Sequence, residues 1–417
     1  MNLYRLELKR VCKTRMTAIL LAIALVLAVV MAYLPVTFIG WTELDASGNK
    51  VSYTGLKAIR KRQEQQVSGT ITPDVMQEAL EAYQRVYRQY DANSINDIPV
   101  EVFYKELARY QPLVNNAKEA FADPKTGMAP GVMGLTAEDM QNFYSQLPKR
   151  LESVIWLEQS GKPGYEQAQA IAQKKFDAVQ KPFTYSFGVS SDAMDYQTLL
   201  SLLLTLLCAV IAAPVFASDA QTGAQDIQLC TKNGGLRLAS AKLAAAFSIT
   251  GAAYLLCGVV WILVTNALFG WESTQTSVQW LFSVTSLPPY TVGQMEWVML
   301  VANFLLFFAE VAFVLMASVW AKNNLTALSV ALISVVAPLI VYMVVPGSFG
   351  EWLSALIPAG GIGLSNALLY KMISFDFLYA GGHAFFQADV LLASAPIKIV
   401  LLVGLAAWGY LRKTKVA

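Results

Sequence analysis

The composition of this 417-residue chain is typical of a membrane protein, because 55% of its residues are hydrophobic and only 14% are charged, against about 25% in soluble domains. The 31 basic and 29 acidic residues nearly cancel, and 17 of the basic and 19 of the acidic ones lie between Glu43 and Asp192. This distribution excludes a soluble enzyme, a nucleic-acid-binding protein, a fibrous protein and a disulfide scaffold.

The chain begins with a basic segment followed by an apolar run. Residues 1–16 place Leu3, Leu6 and Val11 among basic side chains, which predicts a cytosolic interfacial helix or, equally, a simple topogenic tail. Residues 17–40 then predict a first transmembrane helix of roughly 34 Å, enough for a bilayer core of about 30 Å. A signal peptide would have a shorter apolar core of about 7–15 residues, so we expect a retained anchor.

The polar segment 41–194 predicts an extracellular helical domain. Thr72 precedes a proline, which is typical of a helix N-cap followed by proline at the first helical position. Thr136 and Asp139 form a capping-box pattern, and apolar residues recur at helical spacing through the segment.

Further apolar runs predict five more transmembrane helices. The segment 352–370 is also uncharged but contains Pro358 and three glycines. A seventh span there would place the basic C-terminal residues outside, against the positive-inside rule, so we expect 351–394 to be an extracellular region with re-entrant helices. The predicted spans are 195–217, 243–270, 297–320, 323–346 and 395–411, with a cytosolic loop at 218–242.

The predicted fold class is therefore an all-α membrane protein with six transmembrane helices. Outer re-entrant helices precede the last span, and a mainly helical extracellular domain follows the first. The charge distribution predicts a multi-pass protein of the cell membrane whose N- and C-termini are both cytosolic.

A search for catalytic patterns finds no enzyme site in the sequence. The motifs HExxH, GxSxG and GxxxxGK[ST] are missing, and His383 is the one histidine, so we expect neither a metal, a cofactor nor ATP hydrolysis by this chain. Glu310 is the one acid deep within a predicted span. It is interpreted either as a substrate or proton site or as a structural carboxyl that bridges to Asn303 or Asn266.

The loop at 218–242 carries the most informative pattern, a short helix, a glycine break and basic residues before the next span. It resembles the permease subunits of ABC-type exporters, in the drug and peptide exporter class with six spans. In that family an acidic residue lies at the end of the second span, and a glycine follows four residues later. A threonine, an arginine and a lysine then come before the third span. The matching residues are Asp219, Gly223, Leu229, Thr231, Gly234, Arg237 and Lys242.

The chain departs from the family pattern at several positions in this loop. Asp219 replaces the usual glutamate, Ala224 the usual threonine, and Gln228 one residue of an apolar pair. The family arginine would fall at Gly235, two places before Arg237. The resemblance extends to the topology, with its interfacial N-terminal helix, large outer insertion and outer re-entrant helices.

The resemblance implies that the loop is a coupling element seated in a groove of a separate ATPase subunit, which is present in two copies. Asp219 would cap a helix N-terminus, Gly223 would permit close approach of backbones, and Leu229 would be an apolar anchor. The permease would pair with itself or with a similar chain, contact membrane lipids, and export or extract a peptide antibiotic, lipid or drug. The alternative is a membrane-anchored sensor or scaffold that displays the extracellular domain, although one span would suffice for display.

Overall fold

The computed structural model describes residues 3–45, 49–364 and 366–414. This part of the chain is mostly helical, and six of its helices are long and apolar enough to cross a membrane, which confirms the number predicted from hydropathy. We call them the first to sixth long helices. They are Arg15–Phe38, Ser191–Gln221, Leu236–Phe269, Val292–Trp320, Asn324–Val344 and Gln387–Thr414.

All of the long helices except the fifth begin earlier than their predicted spans, and the third, fourth and sixth show the largest differences. The third begins at Leu236, the fourth at Val292 and the sixth at Gln387, whereas apolarity predicted 243, 297 and 395. The prediction placed Lys242, Glu296 and Asp389 outside the spans that follow them. A helix continues through such residues when their side chains find partners within the protein, and Lys242 and Glu296 therefore lie inside helices and not in the connections.

Between the first and second long helices lies an inserted segment that is mainly helical. Both predicted caps are present, because Thr72 accepts a hydrogen bond from Val75 N and Thr136 forms a capping box with Asp139. Its longer helices are Leu56–Gln65, Pro73–Gln89, Gln111–Ala120, Ala137–Gln141, Phe143–Gln159 and Tyr165–Asp177, with shorter turns at Ile95–Asp97, Val100–Val102, Phe103–Leu107, Ala108–Tyr110 and Val132–Gly134.

The helical pattern did not predict the small antiparallel strand pairs. One pair, Gly40–Leu44 with Lys50–Thr54, opens the inserted segment, and Gly69–Thr70 pairs with Thr184–Tyr185. A third pair, in the region between the fifth and sixth long helices, accompanies two short helices. The elements of that region are Gly347–Leu356, Leu368–Ile373, Phe377–Ala380 and His383–Phe386.

The inserted segment packs against this late region and against the turns that precede the fourth long helix. Gln159 donates a buried hydrogen bond to Phe375 O at 2.7 Å, and Ser277 N donates to Thr184 O at 2.9 Å. The turns that precede the fourth long helix are Trp271–Gln275 and Val278–Leu281. All of these elements therefore gather at one end of the helix bundle, which we call the Glu296 end. The opposite end carries Asp219.

Small residues let the third long helix approach the fourth closely. A Cβ atom on Gly258 would lie 2.3 Å from Leu300 Cδ1, and one on Gly251 would lie 2.9 Å from the Phe308 ring. The Tyr254 and Phe307 rings stack between the same helices with centroids 4.5 Å apart. Because lipid tails are as apolar as the side chains, such close van der Waals packing holds transmembrane helices together.

The second long helix is interrupted at Pro214, which divides it into Ser191–Ala212 and Pro214–Gln221. Proline removes a backbone donor and disturbs the helical hydrogen bonds around it. Ser318 of the fourth long helix compensates, because its hydroxyl accepts from Phe216 N at 3.0 Å and Ala217 N at 3.1 Å and donates to Ala213 O at 2.6 Å. One side chain therefore ties this interruption to the fourth helix.

We predict that Ser318→Ala lowers the free energy of unfolding by about 2 kcal/mol, because two buried backbone N–H groups lose their acceptor. Reversible unfolding of the purified protein in mixed micelles measures this loss. Ser240→Ala is the matched control, since the Ser240 hydroxyl is exposed and bonds only within its own helix. Equal stability of the two variants would contradict the role given to Ser318.

Candidate functional site

At the Asp219 end, four charged side chains from three helices form one network, which we call the four-charge network. Its members are Glu7, Arg10, Asp219 and Lys242. Lys242 Nζ lies 2.5 Å from Asp219 Oδ2 and 3.4 Å from Glu7 Oε1. Arg10 lies 2.8 Å from Asp219 and 2.9 Å from Glu7. Two positive and two negative groups neutralise one another where the helices meet.

Lys242 is the most buried member of this network, with its whole side chain out of contact with solvent. Its ammonium also lies 6.0 Å from the centre of the Phe216 ring. A buried charge that loses its partner is strongly destabilising. Lys242 therefore fixes the position of Asp219, and with it the end of the second long helix relative to the third.

Asp219 does not cap the N-terminus of a helix, and that expectation is wrong. It lies in the last turn of Pro214–Gln221, while the following short helix, Ala224–Leu229, begins after Gly223. The carboxylate of Asp219 is committed to basic side chains from other helices. A sequence reading that considered only neighbouring residues could not detect these distant partners.

Gly223 does not have the close-approach role expected of it, and Gly234 has that role instead. Gly223 has φ +72° and an added Cβ would meet nothing within 4 Å, so it provides a left-handed turn and not a close approach. Gly234 is the close-approach glycine, because an added Cβ would lie 1.7 Å from Gln228 O. The two glycines bracket the helix Ala224–Leu229 and fold it into a compact turn.

The remaining predicted loop residues lie on different parts of this turn. The Thr231 hydroxyl donates to Gln228 O at 2.7 Å and so closes the end of the short helix. Leu229 is half-buried against the core. Arg237 is exposed in the third long helix, where it donates to Asn233 at 3.4 Å. The structure thus brings Asp219 and Lys242 into contact and leaves Arg237 outside the network.

Sequence reasoning missed the apolar residue that the loop exposes. The Ile227 side chain is 74% exposed at the tip of the short helix, whereas the expected anchor, Leu229, packs partly inward. The sequence does contain a signal, since Ile227 is an isolated aliphatic residue among polar ones in AQDIQL.

Glu310 is fully buried in the fourth long helix. It accepts a hydrogen bond from the Ser334 hydroxyl of the fifth long helix, so this carboxyl does bridge helices, but its partner is Ser334 and not Asn303 or Asn266, the two examples expected from the sequence. Lys398 of the sixth helix lies within electrostatic range of this carboxyl and donates to Ala355 O at 2.9 Å and Ile357 O at 3.1 Å. Glu310 therefore joins helices, and a role in function remains a prediction.

A second buried acid, Glu296, escaped the sequence analysis because its span was predicted to begin one residue later. It is fully buried, and Asn266 donates to its Oε2 at 2.7 Å while Gln197 donates to its backbone oxygen at 2.8 Å. Glu296, Asn303 and Glu310 are spaced seven residues apart, which places them on one face of the helix. That spacing is the signal that could have identified Glu296.

The four-charge network and the buried carboxyls offer no metal site of the usual kind. Among residues 3–45, 49–364 and 366–414, no group of three or more His, Cys, Asp or Glu side chains could hold a metal ion. All four cysteines are free, with Cys12 and Cys230 exposed and the other two buried.

Comparisons of the chain with family models, with curated proteins and with solved structures find no match.

We predict that Asp219→Asn lowers the free energy of unfolding by about 3 kcal/mol, because it leaves Lys242 and Arg10 with one acidic partner. The double variant Asp219→Asn with Lys242→Met should lose less than the sum of the two single changes. Denaturant titration in micelles measures all three values. Glu101→Gln, which breaks the exposed pair with Lys50, is the control and should cost less than about 1 kcal/mol. Additive losses would contradict the coupling of Asp219 to Lys242.

Proposed function

We propose that this chain is the transmembrane permease subunit of an ATP-driven ABC exporter in the cell membrane. ATP is hydrolysed by a separate ATPase subunit in two copies, and two permease chains, identical or similar, form the pathway. The substrate is a peptide, lipid or drug-like molecule that is exported or extracted from the bilayer. Six long apolar helices and the compact loop at 219–237 support this proposal.

In this proposal the Asp219 end faces the cytosol and the inserted segment is extracellular. The basic helix Leu3–Cys12 and the loop at 219–237 share the Asp219 end through the four-charge network, as the positive-inside rule favours. The short helices Gly347–Leu356 and Leu368–Ile373 act as outer re-entrant elements. The hydrogen bond from Gln159 of the inserted segment to Phe375 O, just after the helix Leu368–Ile373, supports this placement.

The observation that carries the coupling role is the position of the exposed helix Ala224–Leu229, which directly follows the helix that ends in the ion-paired Asp219 turn. Its exposed Ile227 provides an apolar contact for a groove on the ATPase, and Asp219 at its root is tied to Lys242 and Arg10. A push on this helix is therefore transmitted to the second and third long helices and to the N-terminal helix. A small interface of this kind depends on a few central residues.

A groove of about 870 Å³ at the Glu296 end supports the proposed substrate class. It lies between the helix Tyr165–Asp177, the turn at 287–290 and the start of the sixth long helix. Most of its lining is apolar, including Ile171 and Phe385, and the pair of Lys175 with Asp389 lies at its edge. This combination suits the apolar part of a peptide- or lipid-like substrate.

We predict that the loop is protected from an impermeant thiol reagent in intact cells. The exposed Cys230 and Cys12 of the wild-type protein should react only after the cells are permeabilised. Ser160→Cys, in a cysteine-free background, should react in intact cells because Ser160 is exposed in the inserted segment. Labelling of Cys230 in intact cells at the rate seen after permeabilisation would overturn the proposed orientation.

We predict that Ile227→Asp abolishes association with the ATPase, because it places a charge at the centre of an apolar contact. The measurement is ATP turnover by the purified membrane complex, with identification of the P-loop subunit that copurifies with it. Met128→Asp is the matched control, because Met128 is 73% exposed in the inserted segment. It should leave turnover at the wild-type rate.

The same experiment separates the exporter from a membrane-anchored sensor or scaffold. A sensor would purify without ATP turnover, and Ile227→Asp would then have nothing to abolish. Equal turnover and assembly in Ile227→Asp and the wild-type complex would remove the coupling role of the loop.

A further inference from the structure

Three buried side-chain oxygens near Glu296 have no hydrogen-bond partner among the residues that the structure describes. They are Glu296 Oε1, Asn266 Oδ1 and Gln197 Oε1. The three side chains belong to the fourth, third and second long helices, and each is at least 95% buried. Hydrogen bonds through Glu296 hold them together, because Asn266 bonds its carboxylate and Gln197 its backbone oxygen.

Such a group of acceptors requires a partner. A buried oxygen without a donor costs about 1–3 kcal/mol, and an ionised carboxylate in the membrane costs more unless a positive charge lies beside it. The hydrogen bond from Asn266 is neutral, and no ion pair to Glu296 occurs in the described part of the chain. The missing partner is therefore positively charged or a proton.

A cleft leads from the surface to Asn266 and Glu296, two members of this group. It has a volume of about 290 Å³ and is lined by Asn266 and Glu296 together with polar side chains such as Thr274 and Gln294. Its lining contains no lysine or arginine. The cleft therefore gives a positively charged ligand a path without an opposing charge.

We propose that Glu296 and Asn266, held in place by Gln197, bind a small monovalent cation, an alkali metal ion or ammonium, that enters through this cleft. Carboxylate and amide oxygens are ligands that hard cations prefer. One carboxylate is neutralised by one positive charge, whereas a divalent ion would leave a net buried charge. Because Glu296 and Asn266 belong to two helices and Gln197 bonds the Glu296 backbone from a third, the bound cation joins the bundle at its Glu296 end. This proposal does not depend on the exporter function.

The test is the thermal unfolding midpoint of the purified, full-length protein in choline chloride. Choline is replaced stepwise by sodium, potassium or ammonium at constant ionic strength. Binding to the folded state should raise the midpoint with the logarithm of cation concentration for at least one of the three ions. The arm that responds at the lowest concentration identifies the ion. No response to any of them would overturn the proposal and leave a protonated carboxyl.

Three variants test whether the cation-dependent rise of the unfolding midpoint arises at Glu296. Glu296→Gln should weaken binding roughly thirtyfold or more, as expected for loss of the charged partner at a buried site. Asn266→Leu keeps the carboxylate and removes one oxygen, so it should also weaken binding, and it replaces the first variant if that one fails to fold. Glu310→Gln removes a buried carboxyl from the same helix face and should keep the wild-type response. A response unchanged in Glu296→Gln or in Asn266→Leu would overturn the assignment.

Discussion

The ion pair between Lys242 and Asp219 is the constraint on which the Asp219 end of this protein depends. Lys242 is enclosed between helices, and its charge is tolerated only because Asp219 lies 2.5 Å away and Glu7 completes the pairing. The pairing determines where the second long helix ends and where the N-terminal helix packs. The loop at 219–237 is short and exposed, yet it begins at Asp219 and is followed by Lys242, and these two residues cannot move apart without separating their charges.

The same rule governs the bundle interior, where polar groups have no water to satisfy them. The fourth long helix places Glu296, Asn303 and Glu310 on one face, and helices on several sides provide their partners. Ser334 bonds Glu310, and Asn266 bonds Glu296. The fourth helix is accordingly the most buried of the six, whereas the sixth leaves most of its surface open to lipid or to a second chain.

Hydropathy predicted the six apolar helices because each is a local property of about twenty residues. It could not predict where the helices begin, because the pairing of Lys242 with Asp219 and of Glu296 with Asn266 joins residues far apart in the chain. The candidate site was predicted in part for the same reason. Asp219 and Lys242 do meet, but the roles of Gly223 and Gly234 depended on how tightly the turn folds.

The contacts form a continuous path from the loop to the buried carboxyls. Asp219 lies where the loop begins, in the helix Pro214–Gln221. In the same helix, Phe216 N and Ala217 N donate hydrogen bonds to the Ser318 hydroxyl. Ser318 belongs to the helix that also carries Glu310 and Glu296. A displacement of the helix Ala224–Leu229 by a partner would therefore act on the second and fourth long helices together. Because interhelical hydrogen bonds at Ser318, Ser334 and Asn266 link that helix to its neighbours, the displacement would alter the surroundings of both carboxyls. Under the exporter proposal, the interrupted second helix is the element that would carry this displacement.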